Sequence, residues 1–125
     1  MSYINLTTDN FTETLETNET VIIDFWAEWW GPCQQFAPIF EKVAGDNPDI
    51  KFAKVNTEEQ QELAGQFAIR SIPTLCIVKE GVLVFNQAGM LPEEALKDVI
   101  KQVKELDMAK VHEEIAQEAQ AQAKA

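Results

Sequence analysis

Few side chains of this sequence could do chemistry. It has two cysteines, Cys33 and Cys76, and one histidine, His112. Cys33 closes the run Trp29-Trp30-Gly31-Pro32-Cys33, which follows an apolar strand and opens a helix. A thiol attacks only as its thiolate, so the surroundings of Cys33 decide its use. Cys76 stands between Leu75 and Ile77 in mid-strand and reads as a small buried hydrophobe. His112 lies in a polar stretch with no companion ligands, so no metal site is expected. Asp24 interrupts the apolar run Val21–Trp26. A carboxyl flanked by Ile23 and Phe25 is hard to ionise, which raises its pKa toward a range useful for proton transfer. Lys54 lies in the following strand, where the plain reading is a solvated lysine at a strand end. The other carboxylates cluster on helical surfaces without forming an acid–base pair. No glycine-rich loop is present to cradle a phosphate.

The elements that must position these groups follow from periodicity. Ile4-Asn5-Leu6 is a short edge strand. Thr8, Asp9 and Asn10 are good cap residues, and Phe11 and Leu15 give residues 9–16 one apolar helical face. Val21–Trp26 is nearly continuous in apolar residues, as suits a strand covered on both faces. After Gly31-Pro32, the spacing of Phe36, Ile39, Phe40 and Val43 predicts a helix, with a kink at Pro38. Residues 50–56 alternate as a strand, and residues 58–67 read as a helix. A strand over 72–78 carries Pro73 at its start, where a proline is tolerated. Glu80-Gly81 turns the chain into a partner strand over 82–85. Pro92 opens a last helix, striped by Leu96, Val99, Ile100 and Val103. The order βαβαβαββα predicts an α/β fold with a central mixed sheet and helices on both faces.

Residues 1–106 form the expected domain. Residues 107–125 are Ala-, Gln- and Glu-rich, a C-terminal extension or tail with high helix propensity and little apolar surface. They read as an exposed or frayed continuation of the last helix, or as a partner-binding helix using Met108, Val111 and Ile115.

At 125 residues the length suits one modest domain, and a hydrophobic fraction of 46% suits an ordinary globular one. The net charge of −11 argues against nucleic acid or an anionic membrane as main partner, since both need a basic face. No apolar run is long enough for a transmembrane helix. The first twenty residues have neither a basic start nor an apolar core, so no secretory signal is expected. Two cysteines do not make a disulfide-stapled scaffold, and a reducing, cytoplasmic compartment is expected.

The segment Trp26-Ala27-Glu28-Trp29-Trp30-Gly31-Pro32-Cys33, placed between strand and helix, resembles the active-site loop of the thioredoxin family. The family pattern is Trp-Cys-Gly-Pro-Cys. The likeness covers roughly residues 3–106 and extends to Asp24, Lys54, Ile72-Pro73-Thr74 and Gly89, each at its expected place. It implies a thioredoxin fold and the reduction of protein disulfides, with electrons from a thioredoxin-reductase-like donor and no cofactor of its own. It also implies a cis bond before Pro73, a proton-accepting role for Asp24, and a substrate platform of Trp29, Trp30, Gly31, Pro32, Ile72, Pro73 and Gly89. Cys33 matches the resolving cysteine, the more buried of the pair. A Cys33–Cys76 bridge is not expected, because Cys76 lies roughly 10 Å along its strand from Pro73.

The departure is at Trp30, which stands where the family has its attacking cysteine. An indole cannot attack a disulfide or form a mixed one. The expectation is a reductase scaffold with a disabled site, catalytic remnants Cys33, Asp24 and Lys54, and a single engineered or very local loss at Trp30. The rival is a natural redox-dead binding module, its apolar platform enlarged by Trp30. Self-association through Trp30 or the C-terminal helix is a third expectation.

Overall fold

The most apolar strand of the sequence lies at the middle of the sheet. In the computed structural model, which describes residues 2–124, the elements run β1 (Tyr3–Asn5), α1 (Phe11–Thr17), β2 (Thr20–Trp26), α2 (Gly31–Asp46), β3 (Lys51–Asn56), α3 (Gln61–Gln66), β4 (Thr74–Lys79), β5 (Val82–Ala88), α4 (Glu93–Lys104) and α5 (Met108–Lys124). The terminal residues 1 and 125 of the two expected segments lie outside the described residues. The sheet order is β1-β3-β2-β4-β5. β3 pairs in parallel with β1 and β2, while β4 runs antiparallel to β2 and β5 antiparallel to β4.

Each face of β2 feeds its own core. Ile22, Phe52, Leu75 and Ile77 pack against Phe36, Phe40 and Val43 of α2 and Leu96 and Ile100 of α4. Val21, Ile23, Phe25, Ala53, Val55 and Cys76 pack with Leu6 and Leu63, flanked by Phe11, Leu15 and Phe67. Successive side chains of a strand point to opposite faces, so a strand covered twice must be apolar throughout. From Val21 to Trp26, β2 is apolar throughout except at Asp24.

The element boundaries differ from the sequence pattern for local reasons. The Asn10 side chain accepts from the Thr7 N–H at 2.8 Å and donates to the Asn5 carbonyl at 3.0 Å, so α1 starts at Phe11 rather than residue 9. Asn56 Oδ1 takes up the N–H groups of Glu58 and Glu59 at 3.0 and 3.4 Å, which delays α3 to Gln61. β4 begins at Thr74 rather than residue 72, after the cis Ile72–Pro73 bond. β5 runs to Ala88 instead of ending at 85, because the polar residues Asn86 and Gln87 belong to an exposed edge strand. The helix α2 is unbroken through Pro38.

The expected continuation of the last helix is corrected. α4 ends at Lys104, and α5 is a new helix begun by Asp107. The Lys110 N–H donates to Asp107 Oδ1 at 3.1 Å, and the Val111 N–H to the Asp107 carbonyl at 3.1 Å. A side-chain acceptor on the third N–H is the ordinary signature of a helix start. Met108 is buried, and His112 Nε2 lies 3.2 Å from Glu80 Oε1 at the β4–β5 turn. From Glu113 to Lys124 the helix is exposed all round.

Anchoring of α5 is therefore confined to its first turn. Met108→Ala is expected to lose about 2 kcal/mol in urea unfolding. Removal of residues 113–125 is expected to change stability by less than about 0.5 kcal/mol.

Candidate active site

The C-terminal end of β2 and the N-terminus of α2 build this site together. β2 leaves the sheet at Trp26, and the loop Ala27–Trp30 delivers the chain to α2. Hydrogen bonds from Trp30, Cys33 and Gln34 fix the loop. The Trp30 N–H donates to the Ala27 carbonyl at 3.3 Å, the Cys33 N–H to the Trp30 carbonyl at 3.1 Å, and Gln34 Nε2 to the Glu28 carbonyl at 2.9 Å. Trp30 is the N-cap residue of α2 in extended conformation, and Pro32 falls within the first helical positions, where its missing N–H is harmless. The free N–H groups and dipole of a helix start favour negative charge. Trp30, the residue placed there, carries none.

Trp29 is 64% exposed and Trp30 42% exposed, with ring centroids 5.6 Å apart and planes at 67°. Two indoles in edge-to-face contact form a rigid apolar surface. Cys33 lies in the first turn of α2 and is only 4% exposed. Burial pushes its thiol above the ordinary value and nearby Asp24 adds to the rise, while the Ala27 backbone and Lys54 pull the other way.

Asp24 lies beneath the loop, 1% exposed. Neither carboxyl oxygen has a hydrogen-bond partner among the described residues. Burial raises its pKa from the ordinary carboxylate value to about 7, against the opposing pull of Lys54. Lys54 is its register partner on β3 and is itself buried. The solvated strand-end lysine is thereby excluded.

The Ile72–Pro73 bond is cis. The pairing of Phe25 with Thr74 sets Pro73 beside the end of β2, and the pairing of Thr74 with Ala88 brings Gly89 alongside. The Gly89 N–H donates to the Pro73 carbonyl at 2.8 Å. Gly89 has φ +92°, a backbone that L side chains rarely adopt, so glycine is required there. Of the expected platform, Trp29, Trp30, Gly31 and Gly89 are exposed, Pro32 and Ile72 half-buried, and Pro73 buried. Met90, 36% exposed beside Gly89, escaped the sequence pattern, since a lone methionine after a glycine has no period to reveal it.

Cys76 belongs to the core on the α1–α3 side of the sheet, and Cys33 to the α2 side. Both are free thiols, and burial pushes Cys76 up to about 11. Among the described residues, no group of three or more His, Cys, Asp or Glu side chains could hold a metal ion.

The Asp24 carboxyl ties stability to pH. Its folded value lies above the unfolded one, so its favourable contribution is complete at acid pH and is lost as pH rises toward about 7. Asp24→Asn removes this dependence. The stability of the variant relative to the parent is expected to rise by about 3 kcal/mol between pH 4.5 and pH 8, read from urea unfolding at both values.

Comparison with known proteins accords with this geometry. The family model for thioredoxin matches residues 2–102. A Streptomyces coelicolor relative described as a thioredoxin 2 is 57% identical over 122 residues, covering 98% of this chain and 90% of its own. The thioredoxin of Bacillus subtilis is 38% identical over 102 residues, covering 80% of this chain and 96% of its own. The solved structure of a mutant thioredoxin from Halobacterium salinarum superposes with a TM-score of 0.76 at 33% identity, covering 84% of this chain and 94% of that one. No helix among the described residues is long and apolar enough to cross a membrane. The five-stranded mixed sheet, the cis-proline beside the α2 loop and these likenesses agree: the chain has the thioredoxin fold and belongs to the thioredoxin family.

Proposed function

We propose that this chain is the scaffold of a protein-disulfide reductase whose attacking thiol has been replaced at one position, Trp30, and that it does not run the dithiol cycle. Thiol–disulfide oxidoreduction on protein disulfides is the general activity of the family to which it belongs. In that chemistry a first thiolate attacks the substrate disulfide and forms a mixed disulfide, releasing one substrate thiolate. A second thiolate then attacks the mixed disulfide, frees the other substrate sulfur and leaves an intramolecular disulfide. Two electrons have passed to the substrate, and a reductase partner must return them.

The observation that carries the proposal is Trp30 at the N-cap of α2, where the helix start would stabilise a thiolate. An indole ring has no sulfur to enter the first step. Cys33 is a poor substitute, being 4% exposed and held above its ordinary pKa. The remaining groups suit the lost reaction. Asp24, with a pKa of about 7, is matched to accepting a proton from a thiol near neutral pH, and Lys54 tunes it. Trp29, Gly31, Pro32, Ile72, Pro73 and Gly89 supply the platform on which an extended substrate segment would lie. A reducing cytoplasm, with a thioredoxin-reductase-like donor, is the setting that fits.

One observation favours a second reading. The exposed Trp29–Trp30 pair, at 5.6 Å between ring centroids, is the kind of aromatic anchor that protein interfaces favour. On that reading the chain is a redox-dead binding module, self-association through Trp30 included.

Insulin disulfide reduction with dithiothreitol as donor separates the two. The chain as it stands is expected to remain at the dithiothreitol background, while Trp30→Cys accelerates precipitation by about tenfold or more. Silence from both proteins would favour the binding module. Activity of the unaltered chain would overturn the account of Cys33.

A further inference from the structure

Lys54 is a lysine with a buried stem and no anion, its ammonium opening on the cleft it shares with Trp26. It is 7% exposed, yet no carboxylate lies within ion-pair distance of its Nζ and no hydrogen-bond acceptor meets it among the described residues. A lysine ordinarily extends its ammonium into water and is seldom buried unpaired. Here the Nζ lies 4.9 Å from the centroid of the Trp26 ring and 5.2 Å from that of Tyr3. Both distances fall within the range of roughly 6 Å over which an aromatic face attracts a cation.

We propose that Tyr3 and Trp26 form an aromatic clamp that fixes the Lys54 ammonium beside Asp24, and that Tyr3 is thereby a positioning residue for the Asp24 proton.

Strand register makes the arrangement. Tyr3 pairs with Phe52 on β3, and Lys54 lies two residues further along the same strand. Lys54 pairs with Asp24 on β2, and Trp26 again lies two residues on. Residues two apart in a strand share a face, so all four side chains meet on the α2 side of the sheet.

The clamp has a chemical consequence that an ion pair would lack. A carboxylate partner would cancel the field of the ammonium. Aromatic faces stabilise the cation through their quadrupoles and leave its charge intact. The charge then acts on Asp24, where it opposes the effect of burial. The other charged and titratable groups around it are Glu28 from the loop after β2, Glu59 from the loop after β3, and the Cys33 thiol from α2. Glu28 and Glu59 line the cleft that Lys54 and Trp26 share, and β1 contributes no charge there beyond the Tyr3 phenol. Without the Tyr3 ring the ammonium is free to swing toward the two glutamates and water. Asp24 would then hold its proton to higher pH.

The proposal deepens the reading of Asp24 and Lys54 given above, but its test follows the Asp24 proton in the chain as it stands, independently of any reductase assay. Carboxyl 13C titration by NMR is expected to show the Asp24 midpoint rising by about half a unit or more in Tyr3→Leu. Tyr3→Phe, which keeps the ring, is expected to leave it in place. Lys54→Met should raise the midpoint at least as far, and Tyr3→Leu added to Lys54→Met should raise it no further. An unmoved midpoint in folded Tyr3→Leu overturns the clamp, as does an equal shift in the Lys54→Met background. The Lys54 ε-methylene protons provide a second test that needs no variant. Held between two rings they must resonate upfield of an ordinary lysine, and an ordinary shift overturns the proposal even where Tyr3→Leu fails to fold.

Discussion

A carboxyl in the central strand of a sheet covered on both faces has no water to turn to. Asp24 is that carboxyl, and much of the site is arranged around it. β2 must be apolar on both faces because α2 and α4 cover one and α1 and α3 the other. Into that strand the sequence sets a group whose ionised form is costly to bury. The loop above it, the helix start beside it and the lysine on the neighbouring strand are the three places from which its charge can be influenced. The fold supplies each by register or by direct chain continuity, with no long-range ion pair involved.

The architecture was legible where the pattern was strong. The near-continuous run Val21–Trp26 announced a strand buried twice, and the three- and four-residue steps from Phe36 to Val43 announced α2. The site was legible for a different reason. Asp24, Lys54, Pro73 and Gly89 were picked out by resemblance to the thioredoxin family, on the strength of the Trp29–Cys33 loop, and not by periodicity. Other features escaped because periodicity does not encode them. Asn10 and Asn56 act through single side-chain hydrogen bonds that move helix starts by a few residues. Asp107 restarts a helix within a stretch of uniformly high helix propensity, where composition shows no boundary. Tyr3 lies on a three-residue edge strand, too short for a period, and its relation to Lys54 exists only after β1 and β3 are paired.

Trp30 is the point at which fold and chemistry part. Trp30 caps α2 with an extended backbone alone and makes no side-chain hydrogen bond to the helix start. The tryptophan meets the backbone requirement and brings no thiol to the helix start. It also gives the surface its character, since two adjacent indoles project there with ring centroids 5.6 Å apart.

The sheet that divides the two cysteines gives each a different relation to the outside. Cys33 lies at the rim of the α2 side, close below an open loop. Cys76, a member of the β2–β4 ladder, is fully buried beneath the α1–α3 layer. A thiol reagent in solution therefore meets the two on separate timescales. Cys33 answers to breathing of one loop, whereas Cys76 answers only when the strands come apart. Labelling of Cys76 is in effect a clock for global opening of the molecule, built into a sequence that carries it for packing alone.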